Sequence, residues 1–471
     1  MTTPDGDSEE VPAHGAGPGL PPGLRVRGEV RVPTSKSIGQ RLLACALLAE
    51  GETRFEALPN GKDVLHALRC AREGGARFPS DGKSDDLLAT ALIPRLGRGS
   101  LTGAPPRPSE QQRSWTSFPV GESGTSARLF TAIAGLGRPV GSGAEVIPSG
   151  TLSKRRSPAL FRALKSAGAG VEHGGLEDGW PVLLTAAAPP ERLELTQPGS
   201  SQEVSALLIA LASHPGHREL RVVGTIPSEG YVGITISVLE RFGAVITRSS
   251  VHGGGPGGDA TRFTIRGPLR APTASVRVEA DASSAAVALA AGALSGGMPT
   301  VVRGVGLDSS QPDAAFPSLM AQLGCDMSLS SGEQLALSGV PSRGGSLDCG
   351  AVPDVAPALA AVAGFLAERG EVLELTGLET LPGKESSRID VLAGGLRAIG
   401  FEVDATDRSL KVLRRASRPT GPVTLDPEGD HRMAFAFALM SLFEPGVRIL
   451  DPGCVSKSWP GFWRDLSDSG T

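Results

Sequence analysis

Long apolar runs are missing from this chain, and that absence excludes the most. No stretch reaches the roughly 18 consecutive apolar residues a membrane span needs. The N-terminus has no basic region leading into an apolar one, so neither an anchor nor a secretory leader is expected. Charge of one sign is missing too. The 46 Lys and Arg nearly balance the 50 Asp and Glu, for a formal charge of −4, and no basic block stands out. Neither a nucleic-acid footprint nor a membrane-surface patch is therefore expected, and any anion binding must come from local clusters. Cysteine is sparse and scattered: Cys45, Cys70, Cys325, Cys349 and Cys454 form no C-x-x-C pair and have no histidine at ligand spacing. Such a set excludes a disulfide framework and a structural zinc site and suits a reducing, cytoplasmic setting. Residues 1–23 are rich in Gly, Pro and acidic side chains, which fits a disordered tail. Tyrosine occurs once, at position 231.

What is present is a repeated device. Pro33-Thr34-Ser35-Lys36-Ser37-Ile38-Gly39-Gln40-Arg41 leads into an Ala/Leu run, placing two hydroxyls, an ammonium and a guanidinium in the first turns of a helix. Unpaired N–H groups and the helix dipole already favour anions there. The same order, a polar cluster, then an Ala/Leu-rich helix of about a dozen residues, then Gly, recurs at Ser123-Gly124-Thr125-Ser126 and at Ser200-Ser201-Gln202. It returns at Asp281-Ala282-Ser283-Ser284, at Pro353-Asp354 and at Asp430-His431-Arg432. A second pattern alternates with it, an amphipathic helix that closes on Gly168, Gly243, Gly324 or Gly400 and turns into a strand, as left-handed C-caps do. Short β-rich stretches such as Leu220 to Val223, Ser275 to Glu279, Val372 to Leu375 and Val447 to Leu450 lie between.

Successive copies are roughly 75 to 95 residues apart, longer than a solenoid repeat and about the size of a small α/β unit. The 471 residues thus read as an α/β protein of two domains with three units each, the helix N-termini facing a shared cleft. On the repeats alone, a duplicated scaffold whose caps are only caps fits as well.

Lys36, Arg41, Arg128, Arg155, Lys384, Arg388, Arg432 and Lys457 bring a cation to cluster after cluster, while Ser37, Ser200, Ser201, Gln202 and Ser228 bring neutral donors. This inventory suits phosphate and carboxylate ligands. Asp354 and Glu385 stand among the cations; either could be a helix-start carboxylate or a general acid or base.

With these stretches in order, the chain resembles the enolpyruvyl transferases, within them the shikimate-pathway branch, from about Leu24 to Leu466. The resemblance rests on Ser35-Lys36-Ser37 with Arg41, Gly61-Lys62-Asp63-Val64, Gly124-Thr125 with Arg128, and Leu152-Ser153-Lys154-Arg155. It continues through Ser200-Ser201-Gln202, Ser228 with Tyr231, Asp281-Ala282-Ser283-Ser284, Pro353-Asp354 and Lys384-Glu385-Ser386 with Arg388. Asp430-His431-Arg432-Met433-Ala434 and Lys457 ahead of Pro460 complete it.

The resemblance implies two inside-out α/β domains, each of three βαβαββ units: a discontinuous one, 24–35 plus 272–471, and another, 36–271. It implies transfer of the enolpyruvyl group of phosphoenolpyruvate to a hydroxyl of a phosphorylated acceptor, shikimate 3-phosphate by default, using no metal and no cofactor; a monomer is expected. Lys36, Gly124, Arg155, Gln202, Arg388, Arg432 and Lys457 would hold phosphoenolpyruvate. Ser37, Arg41, Ser200, Ser201, Ser228, Tyr231, Asp354 and Lys384 would hold the acceptor. Lys36, Asp354 and Glu385 would move protons.

Several positions depart from that family's pattern: Thr34 for a Gly, Glu122 for an Asn, Ser387 for an Asp, Pro382 for an Arg and Arg156 for a Pro. Glu122 matters most, because a carboxylate beside an anion pocket weakens anion binding unless it is paired or protonated. The departures leave open a nucleotide acceptor such as UMP, and a scaffold that binds phosphorylated ligands without turnover. A UDP-N-acetylglucosamine enolpyruvyl transferase is disfavoured, since no Cys lies between Cys70 and Cys325 and Lys36 is followed by Ser37.

Overall fold

The computed structural model describes residues 15–76, 98–103, 115–251 and 259–469. Each polar cluster opens a helix, and the cluster is the first turn itself. The six helices run Lys36–Leu48, Gly124–Leu136, Ser201–Ala212, Ala282–Leu294, Ala356–Ala367 and His431–Met440. Beyond their first turns they are apolar on nearly every side, and a helix of that kind must be buried all round. Their Ala and Gly content lets them pack closely at the centre, with the sheets outside.

The exceptions are informative. In these helices the only residues that are not buried are Lys36 and Ser37, Thr125 and Arg128, Gln202, Ser283 and Arg432, all at the N-terminal ends. The buried helices therefore contact space only where their chemistry lies.

Around the helices lie, among the described residues, six sheets. Three have one topology, βαβαββ, with the first two strands parallel and the last two added antiparallel. The first is Thr116–Gly121, Gly143–Pro148, Val182–Thr185 and Gly170–His173, in spatial order. The second is Arg192–Thr196, Gly216–Val223, Ala260–Gly267 and Val245–Val251. The third is Gly345–Asp348, Leu373–Thr376, Leu410–Arg415 and Phe401–Ala405. Gly168, Gly243 and Gly400, each at positive φ, lead into their third strands. Gly324 has the same conformation but leads only to an isolated bridge, Asp326 with Ser338.

The other three units differ from the expected pattern: among the described residues each sheet has three strands, one supplied from far along the chain. Gly51–Glu56 pairs in parallel with Val276–Arg277, Thr300–Arg303 with Gly28–Glu29, and Val447–Leu450 runs antiparallel to Ala16–Pro18. That last pairing corrects the reading of 1–23 as a disordered tail. Ala16–Pro18 is a strand and Leu20 is 3% exposed, because this segment covers an edge that the Val447–Leu450 strand would otherwise leave open. Residues 1–14 lie outside the described ones.

Two hydrophobic cores result. One gathers Leu20, Val26 and Val30 with residues from Ala280 to Leu466; the other runs from Ile38 to Val278. The chain passes between them twice, and the two passages are bonded to each other: Ser35 N donates to Glu279 O and Asp281 N to Pro33 O. Lys36 N donates to the Asp281 carboxylate at 3.2 Å, so the first helix begins on this double crossing. No helix among the described residues is long and apolar enough to span a membrane, and all five cysteines are unpaired.

Candidate active site

Five of the six helix starts are capped as their sequences suggest: Ser35 accepts from Ile38 N, Ser123 from Ser126 N, Ser200 from Gln202 N, Asp281 from Ser284 N and Asp430 from Arg432 N. The sixth is different. Val355 occupies the N-cap of Ala356–Ala367 without a side-chain bond, and Asp354 turns instead to cations. Its helix-start position is therefore not its structural use.

The helix ends converge on a cavity of about 870 Å³ between the two cores. Every residue proposed from the sequence lines it, namely Lys36, Ser37, Arg41, Gly124, Arg155, Ser200, Ser201, Gln202, Ser228, Tyr231, Asp354, Lys384, Glu385, Arg388 and Arg432, except Lys457. Its wall holds seven Lys and Arg against five Asp and Glu, in a chain of net negative charge. The local field thus selects anions.

Three guanidiniums make this specific. Among the described residues Arg41, Arg128 and Arg155 have no carboxylate at ion-pair distance. Arg41, 1% exposed, donates to Thr235 Oγ1 at 2.7 Å, Ser205 Oγ at 3.4 Å and Ser37 O at 2.9 Å, all neutral. Burial pushes its pKa down to about 10. Arg128 donates to Gln202 Oε1, Ser157 Oγ and Gly124 O, and burial lowers it likewise to about 10. Gly124 is what lets Arg128 and Arg155 close on the second helix start. A Cβ there would stand 2.7 Å from Arg155 Nη1 and 3.1 Å from Arg128 Nη1. Buried cations supplied only with neutral acceptors are positioned to take an anionic ligand. Ser228 Oγ and Thr380 Oγ1, buried in the same wall without partners, add hydroxyls for it.

The opposite wall is a compact ion cluster. Asp354 meets Arg432 Nη2 at 3.0 Å, Arg388 Nη1 at 3.1 Å and Lys384 Nζ at 3.5 Å. Burial opposes its charge, but Arg432, Lys384, Arg388 and Lys36 outweigh it and hold the carboxyl well below the usual range. Arg388, 2% exposed, also pairs with Asp430 at 2.7 Å and lies 3.9 Å from Glu385. Glu385 Oε2 is 3.1 Å from His431 Nδ1, at ion-pair distance but out of hydrogen-bonding alignment. Burial works against the Glu385 charge too; His431, Lys457 and Arg388 overcome it, so the group is ionised at neutral pH. Burial keeps His431 below its ordinary value. Glu385, Asp430 and His431 have ligand atoms close enough for a metal ion. Asp430, however, accepts from Arg388, Arg432 N and Ser386, so its oxygens are already used. On the other side Lys36 Nζ meets Asp63 Oδ2 at 3.1 Å.

Lys457 stands behind the wall. Its Nζ contacts Gly429 O at 3.2 Å and forms an ion pair with Glu122. That pair, Arg155 Nε to Lys384 O at 3.0 Å, and Tyr231 to Asp313 at 2.7 Å all join one core to the other. Asp63, Asp313, Asp430 and His431 received no role from the sequence. Three lay inside quoted stretches without a distinguishing signal, and Asp313 is recognisable only through its neighbours in space.

The comparisons agree with this geometry. The family model for EPSP synthase (3-phosphoshikimate 1-carboxyvinyltransferase) matches residues 20–466. A protein of that enzyme name from Thiobacillus denitrificans is 32% identical, over 95% of this chain and 98% of its own length; one from Nitrosomonas europaea is 34% identical, over 95% and 97%. Among solved structures, EPSP synthase from Acinetobacter baumannii superposes with a TM-score of 0.70 at 22% identity, covering 96% of this chain and 97% of that one. The enolpyruvyl transferase NikO from Streptomyces tendae gives 0.67 at 17%, covering 96% of each chain, and at that identity shares the fold of two α/β domains. A match over nearly the whole chain, with relatives above 30% identity, places this protein in the EPSP synthase family of enolpyruvyl transferases.

Proposed function

We propose that this chain transfers the enolpyruvyl group of phosphoenolpyruvate to a hydroxyl of shikimate 3-phosphate and releases phosphate. The observation that carries the reading is Asp354 held between Arg388 and Arg432 in a cleft lined by unpaired guanidiniums. Phosphoenolpyruvate would lie among Lys36, Gly124, Arg155, Gln202, Arg388, Arg432 and Lys457. The acceptor would lie against Ser37, Arg41, Ser200, Ser201, Ser228, Tyr231 and Lys384.

Resting Asp354 is a weak base because its cations stabilise the carboxylate. A ligand carboxylate that takes Arg388 and Arg432 withdraws that stabilisation and raises the basicity of Asp354 as the acceptor arrives. Asp354 then removes the hydroxyl proton, the oxygen attacks the substituted vinyl carbon, and the Lys36 ammonium gives a proton to the methylene carbon. Elimination of phosphate from the tetrahedral intermediate passes the carbon proton to Glu385, which is ionised and able to receive it; the departing phosphate takes the hydroxyl proton from Asp354, and return of the Glu385 proton to the Lys36 amine restores the resting charges. Closure of the two domains over the ligands would exclude water meanwhile.

The two cores divide near 35/36, in keeping with the first proposed boundary, and again between Val278 and Ala280, beyond the proposed 271/272, because the Val276–Arg277 strand pairs with Gly51–Glu56. Because one chain builds the whole cavity, the reading needs only a monomer, and the five unpaired cysteines suit the cytoplasm. The test is phosphate release from phosphoenolpyruvate and shikimate 3-phosphate, with UMP as the alternative acceptor. Release with UMP alone would overturn the acceptor, and release with neither would overturn the chemistry.

A further inference from the structure

Glu122 has a seat made for it. It follows Gly121, which is at φ +62°, and its Oε1 accepts from Thr151 N at 3.2 Å. The same oxygen occupies the space a side chain at Gly150 would need: a Cβ there would fall 1.5 Å away. Its Oε2 reaches Lys457 on the other core. Lys457 is equally fixed. Its side chain is 9% exposed, and its carbonyl packs 2.7 Å from where Gly61 would carry a Cβ. The ammonium feels Glu385 and Asp63 as well as Glu122. It is the one proposed cation that does not line the cavity.

We propose that Glu122 is an affinity-setting residue, an internal carboxylate that pairs with Lys457 and competes with the incoming ligand anion for it. This rests on the reading of the cleft as a phosphoenolpyruvate site. An anion arriving at Lys457 must displace a carboxylate held on its other side by Thr151 N and the space above Gly150. Glu122 thereby weakens the site while keeping the two cores clasped without ligand.

The test is calorimetric titration of phosphoenolpyruvate, and separately of inorganic phosphate, into wild type, Glu122→Gln, Lys457→Gln and the double variant, each first checked by thermal melting. Wild-type turnover decides the functional reading; the ratios of dissociation constants decide this one. Glu122→Gln is expected to bind about tenfold tighter, the effect of removing one competing charge at a half-buried site. The gain is expected to vanish in the Lys457→Gln background, and KM is expected to fall more than kcat changes. Equal or weaker binding by Glu122→Gln, or tightening that persists without Lys457, would overturn the proposal. Glu122→Ala serves as the second variant should Glu122→Gln melt early.

Discussion

Tyr231, the chain's single tyrosine, donates its hydroxyl to Asp313 Oδ1 at 2.7 Å and so ties one core to a carboxylate buried in the other. Ser283 donates to the second oxygen. Burial pushes the Asp313 carboxyl up to about 6, with Asp354 adding to the shift and Arg432 and the two hydroxyls opposing it. The native state therefore binds this proton more tightly than the unfolded chain between about pH 4 and 6. Stability from this group falls as pH rises through that window and remains reduced above it. Asp313→Asn keeps an acceptor for Tyr231 and removes the charge. Its melting temperature is expected to exceed that of wild type by a few degrees at pH 8, with the gap narrowing toward pH 4.5. A gap that does not change with pH would show that Asp313 does not titrate there.

Asp354→Asn and Glu385→Gln test the proton-transfer roles. Each preserves shape and removes a proton acceptor, so kcat is expected to fall by about 10²- to 10⁴-fold while both substrates still bind. Steady-state kinetics with parallel titrations separate these effects. Wild-type rates in either variant would remove that residue from the mechanism.

Arg388 is the keystone of the ion cluster, because one buried guanidinium faces Asp430, Asp354 and Glu385. Replacing it with Met leaves three carboxylates short of a counter-charge and is expected to cost about 3–5 kcal/mol of stability in urea unfolding. Arg388→Lys restores the charge without the planar fork that reaches Asp430 through Nε and Nη2 at once. It is expected to recover only part of the loss.

The helix starts were legible in the sequence because each is local: a polar cluster, an apolar run and a following Gly lie within roughly fifteen residues. The unit count follows from the spacing of those starts. Of the three borrowed strands, Val276–Arg277 lies within the β-rich stretch Ser275 to Glu279, but its pairing was not legible, and Gly28–Glu29 was not legible as a strand at all, since both are two residues long and pair with strands more than 200 residues away. The same distance hid the site's internal pairing. Glu122 with Lys457, Tyr231 with Asp313 and Asp354 with Arg432 are 78 or more residues apart, so composition could reveal an excess of cations but not which ones the protein neutralises itself. Asp354 shows the limit within a single residue: its position before a helix suggested a cap, and only the fold reveals three cations competing for it.

Gly150 offers a structural test of the Glu122 seat. Its φ of +51° places it in the left-handed region, where an alanine costs about 1–2 kcal/mol, and a Cβ would also fall on Glu122 Oε1. Gly150→Ala therefore carries two penalties, backbone strain and eviction of the carboxylate. In a Glu122→Ala background only the strain remains. Urea unfolding of the four proteins of this cycle is expected to give a non-additive term of about 1 kcal/mol or more, with Gly150→Ala less harmful once Glu122 is gone. The evicted carboxylate also releases Lys457, so Gly150→Ala alone should bind phosphoenolpyruvate more tightly than wild type despite its lower stability. Lower stability with unchanged binding would mean that the carboxylate stays on Lys457 and that the strain is purely local.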